Sequence, residues 1–338
     1  MSRDCFVCYT PEEHDVMRIG NGSVARVTKG LFVLSVLVVA CVRAPLAHAD
    51  MSVGIGCCDH RWWSAVADPF KDGYQNVNPN DPNPFKQTFL DEMSMFSVLR
   101  MMDLNQTNDM DDIDAHSPHW SERRQKSDPN QSTVCYEWQI ELANQVGRDI
   151  WVCMPHNVDS DYPYQLATLI RDNLDPSLKC YIEYSNETWN GIFGQCHYCI
   201  AEGLALGLDS NEYVAGYKYH AYRAVRMFEA FEDVFGSQMS SRVRKVIAGQ
   251  SGNTWMADRH MEVVNDPQLN PSGIQPDCYA VAPYVGLNAT TLQGLWDDLP
   301  AVVAECQAIK DWCDAEGLAL LAYEGGQHIY QDNADVVS

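Results

Sequence analysis

The sequence predicts an α/β fold, a (β/α)8 TIM barrel, and three observations carry that expectation. Short β-branched or apolar runs alternate with helical patterns along the chain, the order expected of parallel βαβ units. The 338 residues, 46% of them apolar, suffice for one large core, and a single barrel of roughly 250 residues fits inside that length. No glycine-rich G-x-G-x-x-G turn follows the first run, which argues against a doubly wound sheet, the alternative architecture.

Taken in order, the elements begin with an export segment. Lys29 precedes an apolar run over 31–42, and Ala47-His48-Ala49 follows it, the arrangement of a Sec signal peptide with an A-x-A cleavage site. The run is much shorter than the roughly 20 residues of a membrane-spanning helix. Residues 1–49 are therefore expected to be a signal peptide and 50–338 a secreted barrel domain, extracellular or periplasmic. Met17, followed by Arg18 and Arg26, would make a more ordinary initiator. Of thirteen cysteines, Cys5, Cys8 and Cys41 leave with the leader, and an oxidising destination favours disulfides among the remaining ten. Cys196-His197-Tyr198-Cys199 has the spacing of a zinc half-site, but no second half follows, so no metal is expected there.

Seven candidate strands follow, at 52–56, 96–102, 149–154, 179–185, 243–249, 277–283 and 318–323. Helical patterns between them include 133–146, 162–173, 212–235 and 295–316, with Gly147 and Gly236 at C-cap positions. The polar, Asp/Asn-rich connection 103–131 leaves the C-terminal end of a strand, the functional face of a barrel. The chain runs 14 residues past Glu324. An eighth strand is missing from the count, and seven open parallel strands would leave bare edges, so the barrel is expected to be C-terminally incomplete.

Charge narrows the partners. Lys+Arg 23 against Asp+Glu 46 gives −23, which repels nucleic-acid phosphates and anionic lipid surfaces, so neither nucleic acid nor membrane is an expected partner. A neutral polysaccharide is compatible with that field, and nine Trp and sixteen Tyr supply faces on which sugar rings stack.

The chemistry is concentrated in two segments. Residues 179–190 read Lys-Cys-Tyr-Ile-Glu-Tyr-Ser-Asn-Glu-Thr-Trp-Asn, an apolar-alternating strand that ends directly in Asn186-Glu187. A carboxyl at a strand's C-terminal tip faces the barrel mouth. Residues 318–326, Leu-Ala-Leu-Leu-Ala-Tyr-Glu-Gly-Gly, place Glu324 at the tip of another strand, beside two glycines that admit close approach. Glycosidic cleavage with retention needs two such carboxyls, about 5 to 5.5 Å apart.

This pair resembles the signature of the clan-A glycoside hydrolases, retaining enzymes on TIM barrels in which Asn-Glu ends strand four and a glutamate ends strand seven. The resemblance runs over 52–326. It implies Glu187 as general acid/base, Glu324 as nucleophile and Asn186 as a contact to the sugar 2-hydroxyl. It places Arg100, ending the second strand, beside the nucleophile, where its charge would keep Glu324 ionised. His156 and Asn157 after the third strand, and Tyr284 after the sixth, fall where the clan places sugar-contacting or nucleophile-orienting groups. Trp189, Trp120 and Trp255 follow strand ends and are candidate sugar platforms or core residues. The wording here departs from the Asn-Glu-Pro common among cellulases of the clan.

The expected activity is retaining hydrolysis of O-glycosidic bonds in a β-linked polysaccharide or oligosaccharide, with no cofactor and no metal. Two other readings are weighed against it. A non-catalytic carbohydrate-binding barrel would keep the groove alone, but retention of both glutamates argues against that. A metal-dependent hydrolase would use His156 and His328 as ligands, yet no H-x-H or H-E-x-x-H pair occurs.

Overall fold

Six of the seven apolar runs become the strands of one parallel sheet. They are β3 (Val98–Arg100), β4 (Asp149–Met154), β5 (Cys180–Tyr184), β6 (Val243–Ala248), β7 (Cys278–Val281) and β9 (Ala319–Ala322), paired in the order β3-β4-β5-β6-β7-β9. The computed structural model describes residues 15–18, 24–27, 68–108, 118–287 and 289–327. A two-stranded antiparallel ladder, β1 (Asp15–Arg18) with β2 (Val24–Val27), stands ahead of the sheet in the chain. The rest of the expected signal segment, the expected strand at 52–56 and His328 lie outside the described residues.

The strand order follows the chain without reversal, whereas a doubly wound sheet reverses partway, so the alternative architecture does not describe these six strands. The sheet is curled into half a barrel. Its two faces separate cleanly by the period of two that strands impose. Leu99, Ile150, Val152, Cys180, Ile182, Ile247, Tyr279 and Val281 point outward into the main core under the helices. Val98, Trp151, Cys153, Val246, Ala248, Cys278, Ala280 and Tyr323 point inward and pack on one another as a second cluster. Register places Cys153 opposite Glu183 and Glu183 opposite Val246, so a charged side chain occupies an inward row that is otherwise apolar.

The outer layer is helical: α1 (Gln87–Met93), α2 (Tyr136–Val146), α3 (Tyr162–Asn173), α4 (Gly194–Ala205), α5 (Glu212–Phe235), the single turn α6 (Met239–Arg242), α7 (Thr254–Val264) and α8 (Leu292–Glu316). Side-chain caps start three of them. Asn211 accepts from the Tyr213 and Val214 amides, Asn253 from Met256, and Thr291 from Gly294. The Thr291 cap explains why α8 begins at 292 rather than at the expected 295. Helix α2 begins at 136, not 133, because Val134 is held to the Leu104 carbonyl and the Gln131 side chain takes the Cys135 amide. Gly147 ends α2 in the left-handed conformation. Gly203 lets α4 and α5 cross closely, since a Cβ there would lie 2.2 Å from the Ala215 carbonyl oxygen.

Beyond β7 and β9 the chain pairs once more, as β8 (Tyr284–Val285) with β10 (Gly326–Gln327), Tyr284 opposite Gly326. The break falls at Pro283, which has no amide hydrogen to give a ladder, and opposite it stand Glu324 and Gly325. This interruption turns Tyr284 and Glu324 toward one another at the C-terminal edge of the sheet.

The eight described cysteines, Cys135, Cys153, Cys180, Cys196, Cys199, Cys278, Cys306 and Cys313, are free thiols, all buried, so the disulfides expected from an oxidising destination are not formed among them. Cys196 and Cys199 lie on α4 and pack into its inner side. Among the described residues no helix is long and apolar enough to cross a membrane.

Candidate active site

Strand β5 delivers its chemistry through a strained turn. Ser185 and Glu187 both have positive φ, +58° and +40°, and each such non-glycine residue costs on the order of 1–3 kcal/mol, held only where its surroundings over-determine it. Here they do. The Ser185 amide bonds the Met154 carbonyl at 2.7 Å, and the Asn190 amide closes onto the Glu187 carbonyl at 2.9 Å. The Asn186 carbonyl accepts from the Gln195 side chain at 2.9 Å, and Thr188 Oγ1 lies 2.9 Å from His220 Nδ1.

Arg100, on β3, is the hub. It is almost wholly buried, and its guanidinium donates through Nε and Nη2 to both Glu183 oxygens at 3.0 and 2.9 Å. Nη1 donates to Glu324 Oε1 at 2.9 Å, and Nη2 also to Asn186 Oδ1 at 2.8 Å. Glu183 takes two more donors on Oε2, Trp151 Nε1 at 2.8 Å and the Cys153 thiol at 3.3 Å. Burial pushes the Glu183 pKa up, and the Arg100 charge pulls against it. One guanidinium thus joins a buried carboxyl below the site to an accessible one in it.

Glu324 receives two donors, Arg100 on Oε1 and the Tyr284 hydroxyl on Oε2, an acceptor-only arrangement that suits a carboxylate anion. Burial, and then the Glu324 charge, hold the Tyr284 pKa far above the ordinary phenol value, so it remains a donor. Glu187 differs. Its Oε1 accepts from Tyr323 at 3.0 Å and its Oε2 from Asn190 at 2.9 Å. Burial raises its pKa, the Glu324 charge raises it further, and the Asn190 and Tyr323 hydrogen bonds offset part of the rise. Two carboxyls at the ends of β5 and β9, strands separated in the sheet by β6 and β7, therefore sit in unlike environments, the arrangement that separates an acid from an anion.

The structure brings together Arg100, Asn186, Glu187, Tyr284 and Glu324 of the residues expected from sequence. Trp189 borders them, its ring edge-on to Tyr323 at 6.2 Å. His156 is buried with its ring against Tyr198 of α4 at 4.8 Å, and its carbonyl accepts from the Tyr184 hydroxyl of β5. Asn157 is half-buried, and its side-chain oxygen has no hydrogen-bond partner. Trp120 is packed between Tyr136 and Tyr162 with Arg123 over its ring at 3.9 Å, a core arrangement rather than an open platform. Trp255 is half exposed, its ring edge-on to Tyr217 at 6.2 Å.

Sequence reasoning missed Glu183, Tyr323, Asn190, Trp151 and Asn108, whose Oδ1 accepts from Asn186 at 2.9 Å. Glu183 carried a usable signal, an acid at an alternating position inside an apolar strand, which requires a cationic partner. Among the described residues no group of three or more His, Cys, Asp or Glu side chains is placed to hold a metal ion. No protein-family model matches the sequence, and no curated protein matches it.

Proposed function

We propose that this chain is a retaining O-glycoside hydrolase of the clan-A type, acting on a β-linked polysaccharide or oligosaccharide from a (β/α)8 barrel of which the described sheet is part. The observation that carries this reading is the unlike pair: Glu324 held by Arg100 and Tyr284, and Glu187 raised by burial and by the Glu324 charge.

In the first step Glu324 attacks the anomeric carbon while Glu187 gives its proton to the leaving oxygen. Forming the ester neutralises Glu324. That removes one of the two causes that raise Glu187, so its pKa falls and it can take a proton from water in the second step. Asn186, fixed by Arg100 and Asn108, is offered to the sugar 2-hydroxyl. The export segment expected from sequence and the acidic charge fit a secreted enzyme meeting a neutral glycan.

The test is to screen the secreted protein on β-glucans, mannans, xylans and galactans and to follow product anomers by proton NMR. Initial product of unchanged anomeric configuration is expected, with the two carboxyls about 5 to 5.5 Å apart in a crystal structure. Inversion, or carboxyls beyond about 6.5 Å, would overturn the reading.

A further inference from the structure

We propose that His220 is a positioning residue for Glu187, acting through Thr188 to hold the strained turn that presents the acid. The inference rests on the glycosidase reading for its catalytic meaning, but not for its structural content.

The turn 185–188 is clamped from two sides. On the inner side Asn186 is fixed by Arg100 and Asn108. On the outer side Thr188, next to Glu187 in the chain, meets His220 Nδ1 at 2.9 Å. His220 comes from α5 and is fully buried. Its ring lies against Tyr184 at 5.5 Å, Trp189 at 6.3 Å and His260 at 5.1 Å. His260 in turn is anchored by its Nδ1 to the Tyr279 hydroxyl at 3.2 Å, and Gly249 leaves room for that hydroxyl, since a Cβ there would lie 1.9 Å from it. The Thr188 clamp therefore rests on a ring stack fixed from α5, α7 and β7.

The chemistry of the ring argues for a role in the turn. His220 Nε2 and His260 Nε2 are both buried with no hydrogen-bond partner. An apolar ring would fill the same space without leaving an orphaned nitrogen in the core, which is costly. What an apolar ring cannot do is bond Thr188. Without that bond, the positive φ of Ser185 and Glu187 would still be held by Met154, Asn190, Gln195 and the Arg100 side, but Thr188, the residue that follows Glu187, would lose its side-chain anchor to α5.

Thr188→Val, His220→Phe and His220→Asn test this, the last because its amide reaches the Nδ1 position. In Thr188→Val and His220→Phe, amide exchange over 185–190 should accelerate while Tm stays near that of the parent. On a glycoside with a poor leaving group kcat/KM should fall about 100-fold, the order of loss that a misplaced catalytic group brings. On a dinitrophenyl glycoside, whose departure needs no proton, kcat/KM should hardly change, and His220→Asn should restore most of the loss. Equal losses on both substrates, or unchanged exchange over 185–190, would overturn the proposal. Should His220→Phe not fold, Thr188→Val alone decides. Accelerated exchange in a protein that cleaves no glycoside would leave the clamp standing and sink the glycosidase reading instead.

Discussion

The Tyr323 hydroxyl donates to Glu187 Oε1 at 3.0 Å, so the residue that precedes one glutamate in the chain holds the other. The ends of β5 and β9 are thereby locked in relative position through one phenol. Because the bond favours the charged form, it works against the rise that burial and Glu324 impose on Glu187.

Tyr323→Phe removes that bond and should raise the Glu187 pKa further. The bond favours the charged form, so its loss shifts the Glu187 carboxyl upward. The alkaline limb of kcat/KM should move up, and carbon NMR titration of the Glu187 carboxyl should agree. An alkaline limb that stays in place while the acidic limb moves up would show that the phenol acts on Glu324 instead.

The two glutamates should fail differently. Glu187→Ala on an activated substrate should still form the glycosyl-enzyme but break it down slowly, and azide, which needs no base, should rescue turnover. Glu324→Ala removes the covalent route and should be nearly inactive on every substrate. Azide rescue of Glu324→Ala rather than Glu187→Ala would exchange their roles.

Much of this was legible in the sequence, and for identifiable reasons. The strands at 149–154 and 179–185 and the helices at 162–173 and 212–235 have strong periodicity and clear boundaries, and the structure places them within a residue or so of expectation. Glu187, Glu324, Arg100 and Asn186 end or follow strands, so one face collects them. What could not be read was tertiary in origin. Helix α4 carries Gly194 and Gly203 and a weak pattern, and it exists because Gly203 lets it lie against Ala215. Tyr284 and Gly326 pair beyond a proline that hides the strand, and Tyr323 acquires its function only when the curl of the sheet brings it to β5.

The buried pair below the site should be costly to break. Glu183→Ala leaves the Arg100 guanidinium without its two-point partner and the Trp151 indole without its acceptor. Removal of one member of a buried ion pair typically destabilises by about 3–5 kcal/mol. Urea denaturation should show a lower midpoint in Glu183→Ala, with a smaller loss in Glu183→Gln, which keeps an acceptor. A loss below about 1 kcal/mol in the alanine variant would mean that water enters and solvates Arg100.

The two buried imidazoles should make the fold sensitive to acid in a defined window. Burial holds the His220 pKa down at about 3, and burial together with the His220 charge puts His260 well below the ordinary 6.5. In the unfolded chain both take up protons near 6.5. Below that pH the unfolded state binds protons that the folded state refuses, so stability is fully present above about 6.5 and is lost as pH falls toward 3, by about 1.4 kcal/mol per pH unit for each ring. Glu183 and Glu187 act in the opposite sense above the ordinary 4.5, because the folded state holds their protons longer. Comparing variants cancels that contribution. Urea midpoints measured at a series of pH values should show a shallower fall below 6.5 in His220→Asn than in the parent, whatever the difference in absolute stability. The double variant with His260→Asn should be shallower still. Parallel slopes in parent and variants would mean that the rings are protonated inside the fold, and that His220 does not meet Thr188 as a neutral partner.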